Sequence, residues 1–143
     1  MKKCRRILFV PIVINTLQEN VESERPKTPP LGALSIISYC EKYANQKHTF
    51  SVLDIDEDDK TAKQQLKDRI NEFKPDIVAF SAMFNEQCLL VFDLAEITKQ
   101  INSDIFAVAG GIAISDTYDI FLNYTDNIDA SVSVKGRYRS VNY

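Results

Sequence analysis

No apolar stretch in this sequence is long enough to cross a bilayer, because the run "ILFVPIVI" from Ile7 to Ile14 falls far short of the ~20 residues a spanning helix requires. The opening "MKKCRRILFVPIVI" has a basic start and an apolar stretch, but it lacks the small-residue cleavage site of a secretory leader and runs straight into polar sequence. It reads instead as the first strand of a cytoplasmic protein. Cysteine is scarce. Cys4, Cys40 and Cys88 lie far apart with no C-x-x-C spacing, so neither a zinc cluster nor an iron-sulfur motif can be assembled locally, and the three read as reduced thiols. His48 is the only histidine, and its place ahead of a strand makes it a surface turn residue. Phosphate-binding glycine loops are missing as well: no G-x-G-x-x-G follows the first strand, and no G-x-x-x-x-G-K precedes a serine or threonine. A net charge of -3 and a pI near 5.2 exclude a broad nucleic-acid footprint. The one basic cluster, Lys2, Lys3, Arg5 and Arg6, reads as solubilising the start of a buried strand.

What remains is a globular composition, 45% hydrophobic and 26% charged over 143 residues, enough for one domain with a real core. Short β-branched runs alternate with longer segments of helical period, the pattern of parallel strands joined by helical crossovers. Strands are expected over Arg6 to Ile14, Thr49 to Ile55, Asp76 to Ala82, Asp104 to Ala109 and Ile128 to Val134. Their interiors are continuously apolar, as in strands covered on both faces.

Helices are expected over Pro30 to Ala44, Lys60 to Phe73, Glu86 to Ile101 and Asp116 to Tyr124. The first would turn Leu31, Leu34, Ile36 and Ile37 inward, with Pro30 suited to its first turn, where helical amides have no intrahelical partner. The second places Leu66, Ile70 and Phe73 on one stripe and ends before Pro75; the third carries Leu90, Leu94, Ile97 and Ile101. All four stripes read as core. Such a chain closes as a three-layer, doubly wound α/β sandwich around a five-stranded parallel sheet. After the fifth strand too few residues remain for the usual covering helix, so the last helix is expected to be missing or incomplete. The domain would then occupy residues 1–134, with 135–143 a tail at a truncation point or beside a partner.

Ligands of open parallel sheets bind beyond the carboxyl ends of the strands, beside the point where the winding reverses. The loops there are the long Asn15 to Pro30 segment, "DIDEDDK" from Asp54 to Lys60, "SAMFNEQ" from Ser81 to Gln87, and "AGGIAIS" from Ala109 to Ser115. A phosphoacceptor receiver would need acidic residues where Ile14, Asn15 and Ser81 stand. "INTLQEN" is equally poor as a flavodoxin phosphate loop. The acidic run Asp54, Asp56, Glu57, Asp58 and Asp59 reads as a solvated stretch in which Asp58 or Asp59 caps the second helix. Gly110 and Gly111 permit either a tight turn or close approach of a ligand.

Taken together, "ILFVPIV", "PPLGALSIISYCEKY", "FSVLDID", "KPDIVAFSAM" and "INSDIFAVAGGIAIS" resemble the cobalamin-binding domain at the amino terminus of cobalamin-dependent radical S-adenosylmethionine enzymes. That family carries D-x-H-x-x-G after the first strand, S-x-L after the third and G-G after the fourth. Gly32 fits the end of the first signature, whereas Lys27 and Pro29 stand at its aspartate and histidine. Ser81, Ala82 and Met83 occupy the second, and Gly110 and Gly111 match the third.

The resemblance implies a flavodoxin-like sheet of order 2-1-3-4-5 and a corrinoid held by Thr28, Pro29, Pro30, Leu31, Gly32, Ser81, Ala82, Met83, Gly110 and Gly111. Pro29 offers no imidazole, so binding would be histidine-independent, with no protein metal ligand. Radical chemistry would need C-x-x-x-C-x-x-C, which this sequence lacks, so no catalytic residue is assigned. The iron-sulfur cluster and S-adenosylmethionine would belong to a radical S-adenosylmethionine partner domain, in cis or in trans. The competing reading is a degenerate domain that binds no corrin, whose groove is filled by Met83 or Phe84 and which serves in substrate or protein recognition.

Overall fold

The computed structural model describes residues 4–13, 29–133 and 138–140. Strand β1, Arg6–Val13, lies inside the sheet, with β2 (Thr49–Val52) parallel to it on one side and β4 (Ile77–Ser81) parallel on the other. The expected second strand is interrupted at Leu53 and Asp54. It resumes as β3, Ile55–Asp56, which pairs Ile55 with Ile12 at the end of β1. Strand β5 (Phe106–Gly110) pairs with β4, and β6 (Ala130–Val132) with β5, both parallel. The order β2-β1-β4-β5-β6 is the doubly wound order expected from the sequence, with the winding reversing between β1 and β4. An added edge strand, β7 (Tyr138–Ser140), runs antiparallel to β6 within the segment read from sequence as a tail.

Four helices connect these strands: α1 (Leu31–Tyr43), α2 (Ala62–Phe73), α3 (Gln87–Ile101) and α4 (Ile112–Tyr124). Helix α2 begins where the Asp59 carboxylate accepts from Thr61 N–H at 2.7 Å and from Gln65 Nε2 at 2.6 Å. It stops at Lys74, held in the left-handed conformation ahead of Pro75. Helix α4 starts four residues earlier than its expected beginning at Asp116. Gly111, at a φ of 104°, turns the chain so that Ser115 N–H and Oγ both reach the Gly111 carbonyl, at 2.9 and 2.8 Å. "GGIAIS" is therefore a helix start, and the helix kinks at Thr117, whose hydroxyl bonds back to Ala113 O at 2.9 Å.

Burial alternates along the strands with period two. Leu8, Val10, Ile12, Val78, Phe80, Ala107 and Ala109 are fully buried beneath Leu66 and Ile70 of α2, Val91, Leu94 and Ala95 of α3, and Ile114 and Phe121 of α4. The opposite face carries Phe9, Pro11, Ala79, Ser81, Val108 and Gly110, all only half-buried. Helix α1 has no buried residue, and Leu31, Leu34 and Ile36 are exposed. The expectation that α1 packs as core is thus corrected, while the doubly wound α/β order holds; among the described residues the second sheet face is only partly covered. Periodicity shows that a helix has an apolar stripe; it does not show that the stripe is pressed against the sheet. At the amino ends of the strands, Lys99 Nζ meets Asp129 Oδ2 at 2.6 Å and Ile105 O at 2.7 Å in a largely buried ion pair.

Candidate functional site

Between α1 and the open sheet face lies a cleft of about 1190 Å³ at the carboxyl ends of the strands. Its floor is Phe9 and Pro11 of β1, Ala79 of β4 and Val108 of β5; Gly32, Ala33 and Ile36 of α1 form one wall. The position follows from topology. Where the winding reverses, the loops leaving neighbouring strands diverge to opposite faces and leave a crevice between them.

Most of the residues singled out from the sequence meet here. Pro29, Pro30, Leu31, Gly32, Ser81, Met83, Gly110 and Gly111 all line the cleft. Thr28 lies outside the described residues. Ala82 is fully buried behind the rim, where its N–H donates to Gly110 O at 3.0 Å and ties the β4 loop to the end of β5.

The two glycines differ. A Cβ on Gly111 would strike the Ala82 backbone, so this glycine serves the fold's own packing. A Cβ on Gly110 would meet nothing nearer than Val132 at 3.7 Å, ordinary contact. The chain has room for a side chain at 110, and that side chain would stand in the cleft.

Met83 and Phe84, 57% and 48% exposed, sit at the rim and do not fill the groove. Nor is the acidic run simply a solvated stretch. Asp54, Asp56, Asp58 and Asp59 line the cleft, and Asp54 Oδ1 is a buried acceptor with no hydrogen-bond partner among the described residues. Asp56 Oδ1 accepts from Asp58 N–H at 3.1 Å. None of the lining residues is histidine or cysteine. His48 stands at the amino end of β2, where its Nδ1 accepts from Arg5 N–H at 3.1 Å. No cluster of metal-ligating side chains occurs among the described residues.

Sequence reasoning missed Gln87 and Glu57. Gln87 is 1% exposed; its Oε1 accepts from Met83 N–H at 2.9 Å and Phe84 N–H at 3.3 Å, while its Nε2 donates to Glu57 Oε2 at 2.9 Å. A glutamine opening a helix carries no motif signal. Only the fold brings Glu57, thirty positions earlier, against it.

The parallel order, the cleft at the winding reversal and the glycine-lined rim define an open α/β ligand-binding domain of the doubly wound class. The family model of the B12 binding domain matches residues 20–141, and the chain belongs to that family. It resembles the cobalamin-binding part of cobalamin-dependent radical S-adenosylmethionine enzymes. Among solved structures it is similar to the radical S-adenosylmethionine methyltransferase TsrM of Kitasatospora setae, with cobalamin and a 4Fe-4S cluster bound. That match has a TM-score of 0.60 at 18% identity and covers 91% of this chain and 22% of TsrM. It is also similar to apo OxsB, a cobalamin-dependent S-adenosylmethionine radical enzyme, with a TM-score of 0.50 at 15% identity over 96% of this chain and 22% of OxsB. A curated relative, the uncharacterized methyltransferase PH0819 of Pyrococcus horikoshii, is 28% identical over 140 residues, covering 95% of this chain and 28% of its own length. The chain thus spans about a quarter of the proteins it matches. No helix among the described residues is long and apolar enough to cross a membrane.

Proposed function

We propose that this chain binds cobalamin in the cleft between α1 and the open sheet face, without a histidine ligand. It would serve as the corrinoid module of a radical S-adenosylmethionine partner domain, in cis or in trans. One observation carries this reading: Gly110 is a glycine with no need of its own to be one, and it opens directly onto a cleft at the winding reversal.

The residues present fit the group. About 1190 Å³ exceeds the roughly 300–1000 Å³ of a typical small-molecule pocket and leaves room for a nucleotide tail. Asp54 Oδ1 is an acceptor in want of a donor, which amide or hydroxyl groups of a corrinoid supply. Ser81 would hydrogen-bond the tail, Gly110 would let it approach the backbone of β5, and Pro29 and Pro30 would hold the entrance with little entropy to lose on binding. Leu31, Met83, Phe84 and Ile112 would give the corrin an apolar rim. Bound cobalamin supplies a cobalt centre for alkyl-group chemistry, and the protein supplies binding and orientation. Pro29 and the other lining residues offer neither imidazole nor thiol, hence the histidine-independent mode.

Titration of the folded protein with hydroxocobalamin, followed by desalting and visible spectroscopy, tests the reading. Retained corrin absorbance near one equivalent is expected. A folded protein that keeps no corrin overturns it and favours the degenerate alternative.

A further inference from the structure

Gln87 opens α3 with its side chain turned back under the rim of the cleft, where every polar atom of its amide is used. The carbonyl oxygen receives Met83 N–H and Phe84 N–H, and the amide nitrogen reaches the Glu57 carboxylate. Glu57 N–H in turn donates to Val13 O at 3.1 Å, at the end of β1. A continuous set of hydrogen bonds therefore runs from the end of β1 through the turn after β3 to the loop after β4, crossing the point where the sheet reverses. These bonds join the end of β1, the turn after β3 and the loop after β4 at one level of the cleft.

The physical conditions make the link consequential. Gln87 is 1% exposed, so leaving either end of its amide without a partner has a desolvation cost that an exposed glutamine would escape. The bond to Glu57, at 2.9 Å, is made to a carboxylate and is stronger than one between neutral groups. Met83 and Phe84 have exposed side chains, so their apolar surfaces do not hold the loop down; the bonds from their amides do.

We infer that Gln87 is a positioning residue for the ligand site, a strut that with Glu57 locks the Met83–Phe84 loop and so presets the rim on which the corrinoid rests. This rests on the cobalamin reading for the identity of the ligand, but not for the lock itself. Binding to a preset rim avoids ordering the loop at the moment of association, so the strut raises affinity without touching the ligand.

Two variants test it: Gln87→Glu, and Gln87→Glu combined with Glu57→Gln. In Q87E a second carboxylate faces Glu57, and the like charges force the strut apart. In the combined variant the donor and acceptor are exchanged, and the same bond re-forms in reverse. Amide hydrogen exchange of Met83 and Phe84 is read first, without corrin. Exchange about tenfold faster in Q87E, with recovery in the combined variant, is the expected result for one lost hydrogen bond of this kind. Unchanged exchange in Q87E overturns the strut. Hydroxocobalamin affinity is read second, with about a tenfold loss in Q87E and recovery in the combined variant expected. Faster exchange with unaltered affinity overturns the positioning role. If the wild-type protein keeps no corrin, the cobalamin reading fails while the exchange result still decides the strut. Should Q87E not fold, Glu57→Ala provides the same two readouts by removing the acceptor from a half-buried turn residue.

Discussion

A Cβ on Gly111 would collide with the Ala82 carbonyl oxygen and stand 2.9 Å from both the backbone nitrogen and the carbonyl carbon of that residue. The turn from β5 into α4 is thus pressed against the loop after β4, and only glycine fits, at a φ of 104° that other residues rarely adopt. Gly111→Ala is expected to lower unfolding stability by about 3 kcal/mol, measurable by urea denaturation. Gly110→Ala is expected to melt within a few degrees of wild type and yet lose most of its hydroxocobalamin affinity. Equal losses of stability from the two changes would show that both glycines serve the fold alone.

Ser81 lies half-buried at the end of β4 and faces the cleft beside Gly110, its register partner on β5. Ser81→Ala should leave the melting temperature unchanged and weaken corrinoid binding by about tenfold, the effect of one hydrogen bond to a bound ligand. Unchanged affinity would remove Ser81 from the site.

The sequence displayed the parallel order, because continuous apolar strands and amphipathic helices alternate through Ile7 to Val132 in a rhythm that few topologies satisfy. It singled out Ser81 and Gly110 as strand-end residues open to more than one use, and the fold sets them side by side on the cleft. It did not display the lifted position of α1. Leu31, Leu34, Ile36, Tyr39 and Tyr43 would have the same spacing whether pressed to the sheet or held off it. Nor did it display the Gln87–Glu57 bond, whose partners are chosen by the crossing of β3 and β4 loops. Asp54 failed for a related reason: within an acidic run one carboxylate looks like another, and only packing leaves its Oδ1 without a partner.

The Lys99–Asp129 pair sits at the amino ends of the strands, away from the cleft, with side chains 17% and 10% exposed. Lys99→Ala takes the ammonium away from Asp129 Oδ2, which also accepts from Ala107 N–H at 2.7 Å. The expected cost is about 3 kcal/mol in chemical denaturation, since a largely buried ion pair is broken. Hydroxocobalamin affinity, measured well below the melting temperature, should not change. A change of more than about threefold would mean that the two ends of the sheet are coupled.

Burial raises the Cys88 thiol pKa above its ordinary value, and the neighbouring Glu86 charge adds to the effect. The folded state therefore holds the Cys88 proton more tightly than the unfolded chain. That contribution is fully present below the pKa of an unfolded cysteine and is lost as pH rises through and beyond it. Under native conditions at neutral pH, Cys88 should react with iodoacetamide more slowly than exposed Cys4, as peptide mass mapping would show. Faster labelling of Cys88 would mean that α3 opens readily at its first turn.

Helix α1 and helix α2 provide the sharpest contrast in the fold, because both carry apolar stripes and only one is buried. Leu66 of α2 is fully enclosed among strand residues, and Leu66→Ala should cost about 3 kcal/mol through lost transfer energy and the cavity left behind. Tyr39 of α1 is 66% exposed and its ring lies against Tyr43, with ring centroids 4.7 Å apart. Tyr39→Ser should therefore cost no more than about 1 kcal/mol, the contribution of one exposed aromatic pair. Parallel urea unfolding of the two variants checks this directly. A loss at Tyr39 as large as that at Leu66 would place α1 firmly against the sheet and close the cleft on which the cobalamin reading depends.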